Sequence, residues 1–294
     1  MNKGSSILPW LGAIFVVAVW GETFISSKVL LNNGLAPAEI FFYRFALAYI
    51  CLWGVSHKRL LARNFKDEVL FFLLGAFGGS LYFLAENTAL AYSTASNVAI
   101  LVGSSPLITA LLVTLFDRSE KMSGRMIIGS VIAFIGMALV VFNGQIVLKL
   151  NPLGDALALC AALTWGFYSL IIRKLSDRYD VGFITRKVFF YGLVTIAIYF
   201  LIAHPLKVNT AVLSRPVVWG NLLYLSLVAS LGCFLLWNWV LSKLGTVRGT
   251  NIIYVQCFFT MMFAHIILSE KITWMAIIGS VILIIGMINA VRTS

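Results

Sequence analysis

Two carboxylates stand inside otherwise apolar stretches of this chain, Glu22 and Glu86. A charged side chain deep in an apolar medium is costly, so each is a functional candidate by default. Thr23, Ser26 and Ser27 follow Glu22 at spacings that place them with it on one helical face, and Trp20 borders that face. Tyr82 precedes Glu86 by one turn, Ser93 follows about two turns on, and Asn87 adds an amide. A carboxylate so placed can load and release a proton, which makes Glu86 a candidate proton-coupling group. The plainer reading of both stripes is hydrogen bonding between helices. Aromatic and polar side chains recur further on: Trp165 and Tyr168 beside Thr164 and Ser169, then Trp237, Asn238 and Trp239, then Tyr254 and Gln256. Aromatic surface with a few polar groups suits an amphipathic small solute. Aromatics also anchor helices at a membrane surface, the better reading for Trp239 at the end of its segment.

Other chemistry finds no footing. No glycine-rich loop precedes a lysine to cradle phosphates, and no nucleophile elbow occurs. His57, His204 and His265 are scattered, so no catalytic residue, metal site or cofactor is expected. Cys51, Cys160, Cys233 and Cys257 lack metal-type spacing and read as small buried hydrophobes. The net charge of +11 comes from cations in short loops, with no basic face, so no nucleic-acid partner is expected.

The elements that must hold these residues are set by composition. Hydrophobic residues make up 61% of the 294 and charged residues 11%, and the mean hydropathy is +0.96. A soluble domain carries roughly 25% charge, so the bilayer must be the solvent. With about 20 apolar residues per span, the sequence predicts ten, at 8–28, 37–56, 69–91, 96–116, 124–143, 154–174, 182–203, 216–241, 250–268 and 272–291. The first run is too long for a cleavable leader and is expected to stay as a helix. Pro9, Pro37, Pro152, Pro205 and Pro216 fall at or beside segment ends, where a missing N–H costs little. Pro106 alone lies inside a span and should kink it near Ser104 and Ser105, which makes it a hinge candidate. A cytoplasmic N-terminus gathers most of the 22 Lys and Arg on the cytoplasmic side, including Lys58, Arg59, Arg63 and Lys66, Arg118, Lys121 and Arg125, and Arg173, Lys174 and Arg178.

The chain also repeats itself. Residues 119–137 read SEKMSGRMIIGSVIAFIGM and residues 269–287 read SEKITWMAIIGSVILIIGM. A weaker echo aligns Trp20 and Gly21 with Trp165 and Gly166. Two halves are therefore expected, 1–146 and 147–294, joined near 143–152 and forming one integral membrane unit. An odd number of spans per half makes the repeat inverted. The predicted fold is an all-α membrane protein of ten transmembrane helices, two five-helix inverted repeats with both termini cytoplasmic. Gly129 and Gly136, with Gly279 and Gly286, form small-residue stripes for close helix packing, and a homodimer through them is one use left open.

Taken together, Trp20-Gly21 late in span one, Arg44 to Ala48 (RFALA) in span two, Ala89-Leu90 closing span three and Pro106 in span four follow a known order. Glu120 before a span carrying Gly129 and Gly136 completes it. The chain resembles the drug/metabolite transporter superfamily, specifically its EamA-type exporters, and most nearly those of aromatic and broad-range amino acids. The resemblance implies a carrier of the bacterial inner membrane that exports amino acids or related metabolites. It implies a central cavity among spans one, three, four, six, eight and nine, with span two at the periphery. Arg44 is accordingly expected to be structural, snorkelling outward or pairing with Glu39. Two departures stand out: Cys257 lies about where Pro106 would repeat, and Phe167 follows the second Trp-Gly where the first has an acid. The expected partners are a small-molecule substrate and the bilayer, with proton coupling and oligomeric state open. Export of drugs or other small metabolites, such as organic cations or nucleosides, is the alternative.

Overall fold

The computed structural model describes residues 7–55, 60–93, 95–116, 123–142, 151–268 and 272–291. Lys58, Arg59, His57, Arg118, Glu120, Lys121 and most of the expected junction at 143–152 lie outside them. Among the described residues there is no strand. Helix α1 spans Leu8–Asn32, α2 Pro37–Val55, α3 Phe65–Tyr92, α4 Ala95–Val102, α5 Ser105–Phe116 and α6 Gly124–Phe142. Helix α7 spans Pro152–Ser176, α8 Val181–Ile202, α9 Pro216–Leu244, α10 Thr246–Asn251, α11 Gln256–Leu268 and α12 Trp274–Val291. Each of the ten expected segments is thus helical over most of its length. Among the described residues, six helical stretches are long and apolar enough to cross a bilayer: α1, α3, Val98–Phe116, α7, α8 and α9. Gly124–Val140 and Trp274–Ala290 are shorter apolar helices.

Local chemistry sets the helix ends. Proline opens α1, α7 and α9, where its fixed φ suits the first turn. Asn64, Asn151 and Asp180 cap α3, α7 and α8 by accepting backbone N–H bonds. Gly34 and Gly245 follow α1 and α9 at φ 96° and 82°, a left-handed region that side chains rarely adopt.

Burial is distributed as a membrane solvent requires. Leu115, Leu201, Ile202 and Ile278 face outward, while Arg44, Glu86, Asn87, Asn238 and Thr185 are buried. Polar groups gather inside because lipid offers them no partners. The expectation that all four cysteines are buried fails for two: Cys51 and Cys160 are exposed, and Cys233 and Cys257 are buried. An outward thiol meets apolar surroundings at little cost, so position along an apolar run does not fix its facing.

The glycine stripes are used within the chain. A Cβ on Gly136 would lie 2.7 Å from Gly279 O, and one on Gly279 2.8 Å from Gly136 O. Gly129 and Gly286 face each other's carbonyls in the same reciprocal way at 2.8 Å. Helices α6 and α12 therefore pack antiparallel, backbone to backbone, through equivalent positions of the repeated sequence.

Two π-helical segments were not foreseen. Ala76–Ser80 interrupts α3 and Tyr224–Gly232 interrupts α9. Both precede an echoing stretch, YFLAEN at 82–87 and CFLLWN at 233–238. Gly78, in the first, sits against the Tyr168 ring, which leaves no room for a side chain.

Candidate functional site

Residues of α1, α2, α3, α4, α5, α7, α9 and α11 line a cavity that is partly open to its surroundings. Six of the predicted residues line it: Trp20, Thr23, Tyr82, Glu86, Trp165 and Gln256. The weak Trp-Gly echo explains its centre. Trp20 and Trp165 meet edge to face with ring centroids 5.4 Å apart. The glycine after each lets another helix close in. A Cβ on Gly21 would sit 3.0 Å from Gln256 O of α11, and one on Gly166 2.8 Å from Leu112 Cδ1 of α5. The tryptophan turns inward, and the glycine admits the neighbouring wall.

Hydrogen bonds fix the aromatic walls. Trp20 Nε1 donates to Ala229 O at 2.9 Å, within the π-helical part of α9. Gln256 Nε2 donates to Trp20 O at 3.2 Å, and Thr260 Oγ1 to Gly21 O at 2.8 Å. Tyr82 packs on Trp165 at 5.1 Å and donates its hydroxyl to Glu86 Oε1 at 2.9 Å. Glu86 is 6% exposed.

Four predicted residues support the cavity rather than line it. Trp237 is fully buried and packs on Trp20 at 5.2 Å. Tyr168 stacks beside Trp165 at 4.9 Å and donates its hydroxyl to Asn238 Oδ1, whose Nδ2 donates to Thr185 Oγ1 at 2.8 Å. Asn87 donates to Pro37 O at 3.2 Å and ties α3 to the start of α2. Two others lie apart. Tyr254 is buried in a cluster with Met137 and Leu283, and Glu22 is half-buried with both oxygens accepting from Ser26. The Glu22 stripe is thus a set of hydrogen bonds on α1, joined from α9 by the Tyr224 hydroxyl. Ser93 also leaves the Glu86 face, because its helix has ended and its hydroxyl reaches Asp155.

The break in span four falls where Pro106 led one to expect it. Helix α4 stops at Val102, α5 starts at Ser105, and Pro106 occupies the first turn of α5, where it needs no partner. Val102 and Ser105 flank the break and line the cavity.

Arg44 is the largest correction. Helix α2 is not peripheral here, and Arg44 neither snorkels nor pairs with Glu39. It is 3% exposed, lines the cavity, donates Nε to Ser230 Oγ and lies 4.4 Å above the Phe83 ring. Glu39 instead accepts from the backbone N–H groups of Ala36 and Lys207. Phe83 and Phe234, also unforeseen, line the cavity from equivalent places in YFLAEN and CFLLWN. That echo could have found them. It also shows that Trp237 stands where Glu86 would repeat, so the cavity's acid comes from the first half alone. Among the described residues, no three His, Cys, Asp or Glu lie close enough to hold a metal ion.

The profile of the EamA-like transporter family matches residues 8–142 and again 152–292. The chain belongs to that family. A protein of Archaeoglobus fulgidus named as an uncharacterized transporter is 29% identical over 275 residues, covering 91% of this chain and 92% of that protein. A probable amino-acid metabolite efflux pump of Escherichia coli K12 is 23% identical over 284 residues, covering 94% and 92%. A solved crystal structure shares the fold with a TM-score of 0.73 at 15% identity, covering 99% of this chain and all of that one. The protein is therefore a multi-pass membrane transporter of the EamA-like family, with a small molecule as substrate and the bilayer as its surroundings.

Proposed function

We propose that this transporter is a secondary carrier that exports amino acids, with broad or aromatic preference, across a bacterial inner membrane. In this reading residues 1–146 and 147–294 are five-span inverted repeats with both termini cytoplasmic, and the central cavity opens alternately to either side. The reciprocal antiparallel packing of α6 on α12 supports the inversion, because an in-plane two-fold axis relates equivalent helices in just that way. The observation that carries the function is the cavity itself. Equivalent tryptophans from both halves meet in it, beside a single buried arginine and a single buried carboxylate. The break at Gly103 and Ser104, with Pro106 after it, is the proposed hinge. The Escherichia coli relative named as an efflux pump supports both the direction and the substrate class.

Glu86 is the proposed proton-coupling residue, since it lines the cavity with one hydroxyl donor as its hydrogen-bond partner. In proteoliposomes, wild-type transport should respond to an imposed pH gradient and Glu86→Gln should not. A variant that keeps the full response removes Glu86 from that role.

A second reading rests on the aromatic walls. Trp20, Tyr82, Trp165 and Phe234 around one carboxylate would also receive an organic cation. Competition separates the two readings: unlabelled amino acids should displace a labelled amino acid, and quaternary ammonium compounds should not.

A further inference from the structure

Arg44 and Glu86 line one cavity from neighbouring helices and attract each other through space, yet no hydrogen bond joins them. Each is held in place and left incomplete. Arg44 Nε is bonded to Ser230 Oγ, and Phe83 supports the guanidinium plane. Its other nitrogens make no hydrogen bond among the described residues, although a guanidinium offers five donors in a planar fork. Glu86 Oε1 accepts from Tyr82, and Oε2 accepts from no described residue. A buried charge with unused hydrogen-bonding capacity is unfavourable. Two of opposite sign around one space are best completed by a ligand carrying both complementary charges.

We infer that Arg44 receives the substrate's carboxylate and Glu86 its ammonium group, so that the cavity selects the zwitterionic α-amino acid head group. This rests on the amino-acid reading above and adds the residues that decide it. The side chain of the substrate then lies against Trp20, Trp165 and Phe234, which offer area without directed bonds. Such walls tolerate side chains of different shape, so recognition is strict for the head group and broad for the rest. A lone amine leaves Arg44 unanswered and a lone acid leaves Glu86 unanswered, and either omission is costly at a buried site. Because Trp237 replaces the carboxylate in the second half, the charges are ordered one way and the zwitterion has one bound orientation.

The test is binding of phenylalanine, phenethylamine and 3-phenylpropanoate to the full-length protein in nanodiscs. Wild type should bind phenylalanine at least about 30-fold more tightly than either analogue, the scale for an unpaired buried charge. Arg44→Gln should lose the preference over phenethylamine and keep that over 3-phenylpropanoate. Glu86→Gln should do the reverse. Arg44→Lys, which keeps a cation without the planar fork, should retain part of the preference and serves if the glutamine variant does not fold. Variants that fold and discriminate as wild type does would overturn the assignment while leaving amino-acid transport standing. A wild-type protein that binds phenethylamine and not phenylalanine would overturn the amino-acid reading and this inference together.

Discussion

Helix α3 carries acids at both ends, and the two ends are built in opposite ways. At its first turn Asp67 accepts from Arg178 at 2.5 Å, from the Tyr179 hydroxyl at 2.7 Å and from Asn64. Glu68 beside it accepts from Lys187, the Tyr191 hydroxyl and the Ala62 N–H. Every oxygen there has a partner, and the partners tie α3 to α8 and to the turn before it. Near its last turn Glu86 has one donor. A saturated carboxylate holds helices together, whereas an unsaturated one facing a cavity is available to something that arrives. The carboxylates at one end thus fix structure, and the one at the other end is proposed to receive ligand, according to how many donors surround each.

Two pairs of measurements press on that contrast. The largest effect should come from Glu68→Ala, which strands Lys187, itself only 3% exposed. Stability in detergent should fall by about 3 kcal/mol, read as the unfolding midpoint, with ligand selectivity of the folded protein unchanged. Glu86→Gln should do the opposite: its midpoint should stay within about 1 kcal/mol of wild type, while amino-acid transport drops about tenfold or more. A large loss of stability there would make Glu86 a structural group like Glu68. The smallest effects come from removing one hydroxyl at each end. Tyr179→Phe should cost about 1 kcal/mol of stability and no transport, and Tyr82→Phe a few-fold in transport with stability changed by less than about 1 kcal/mol. Equal effects of the two tyrosines on transport would erase the distinction.

Much of this arrangement could be read from the sequence, for identifiable reasons. Solvent is a property of composition, so the apolar helices followed from it. The break near Ser104 followed from Pro106, because a missing N–H acts locally. The inward tryptophans followed from aromatic surface standing beside polar groups within apolar helices. What escaped was set by partners distant in the chain. Arg44 looked structural because the resemblance implies a peripheral span two, and nothing near it in sequence announces Ser230, 186 residues away. Tyr254 and Gln256 lie on one short segment, yet only Gln256 reaches the cavity; side chains two residues apart leave a helix in nearly opposite directions, so composition could name both and only their facing could choose between them. The glycine stripes were legible as packing surfaces, but their partner, each other, was not. The π-helical segments left only the Gly78-Gly79 pair as a trace, and Tyr224–Gly232 left less.

The central claim is that the cavity between the halves carries amino acids by alternating access. Counterflow tests it most directly, with proteoliposomes loaded with unlabelled amino acids and given trace labelled phenylalanine outside. The account predicts saturable accumulation of label that disappears when the internal amino acids are omitted. Folded protein that accumulates no label, or that passes it without saturation, would contradict it.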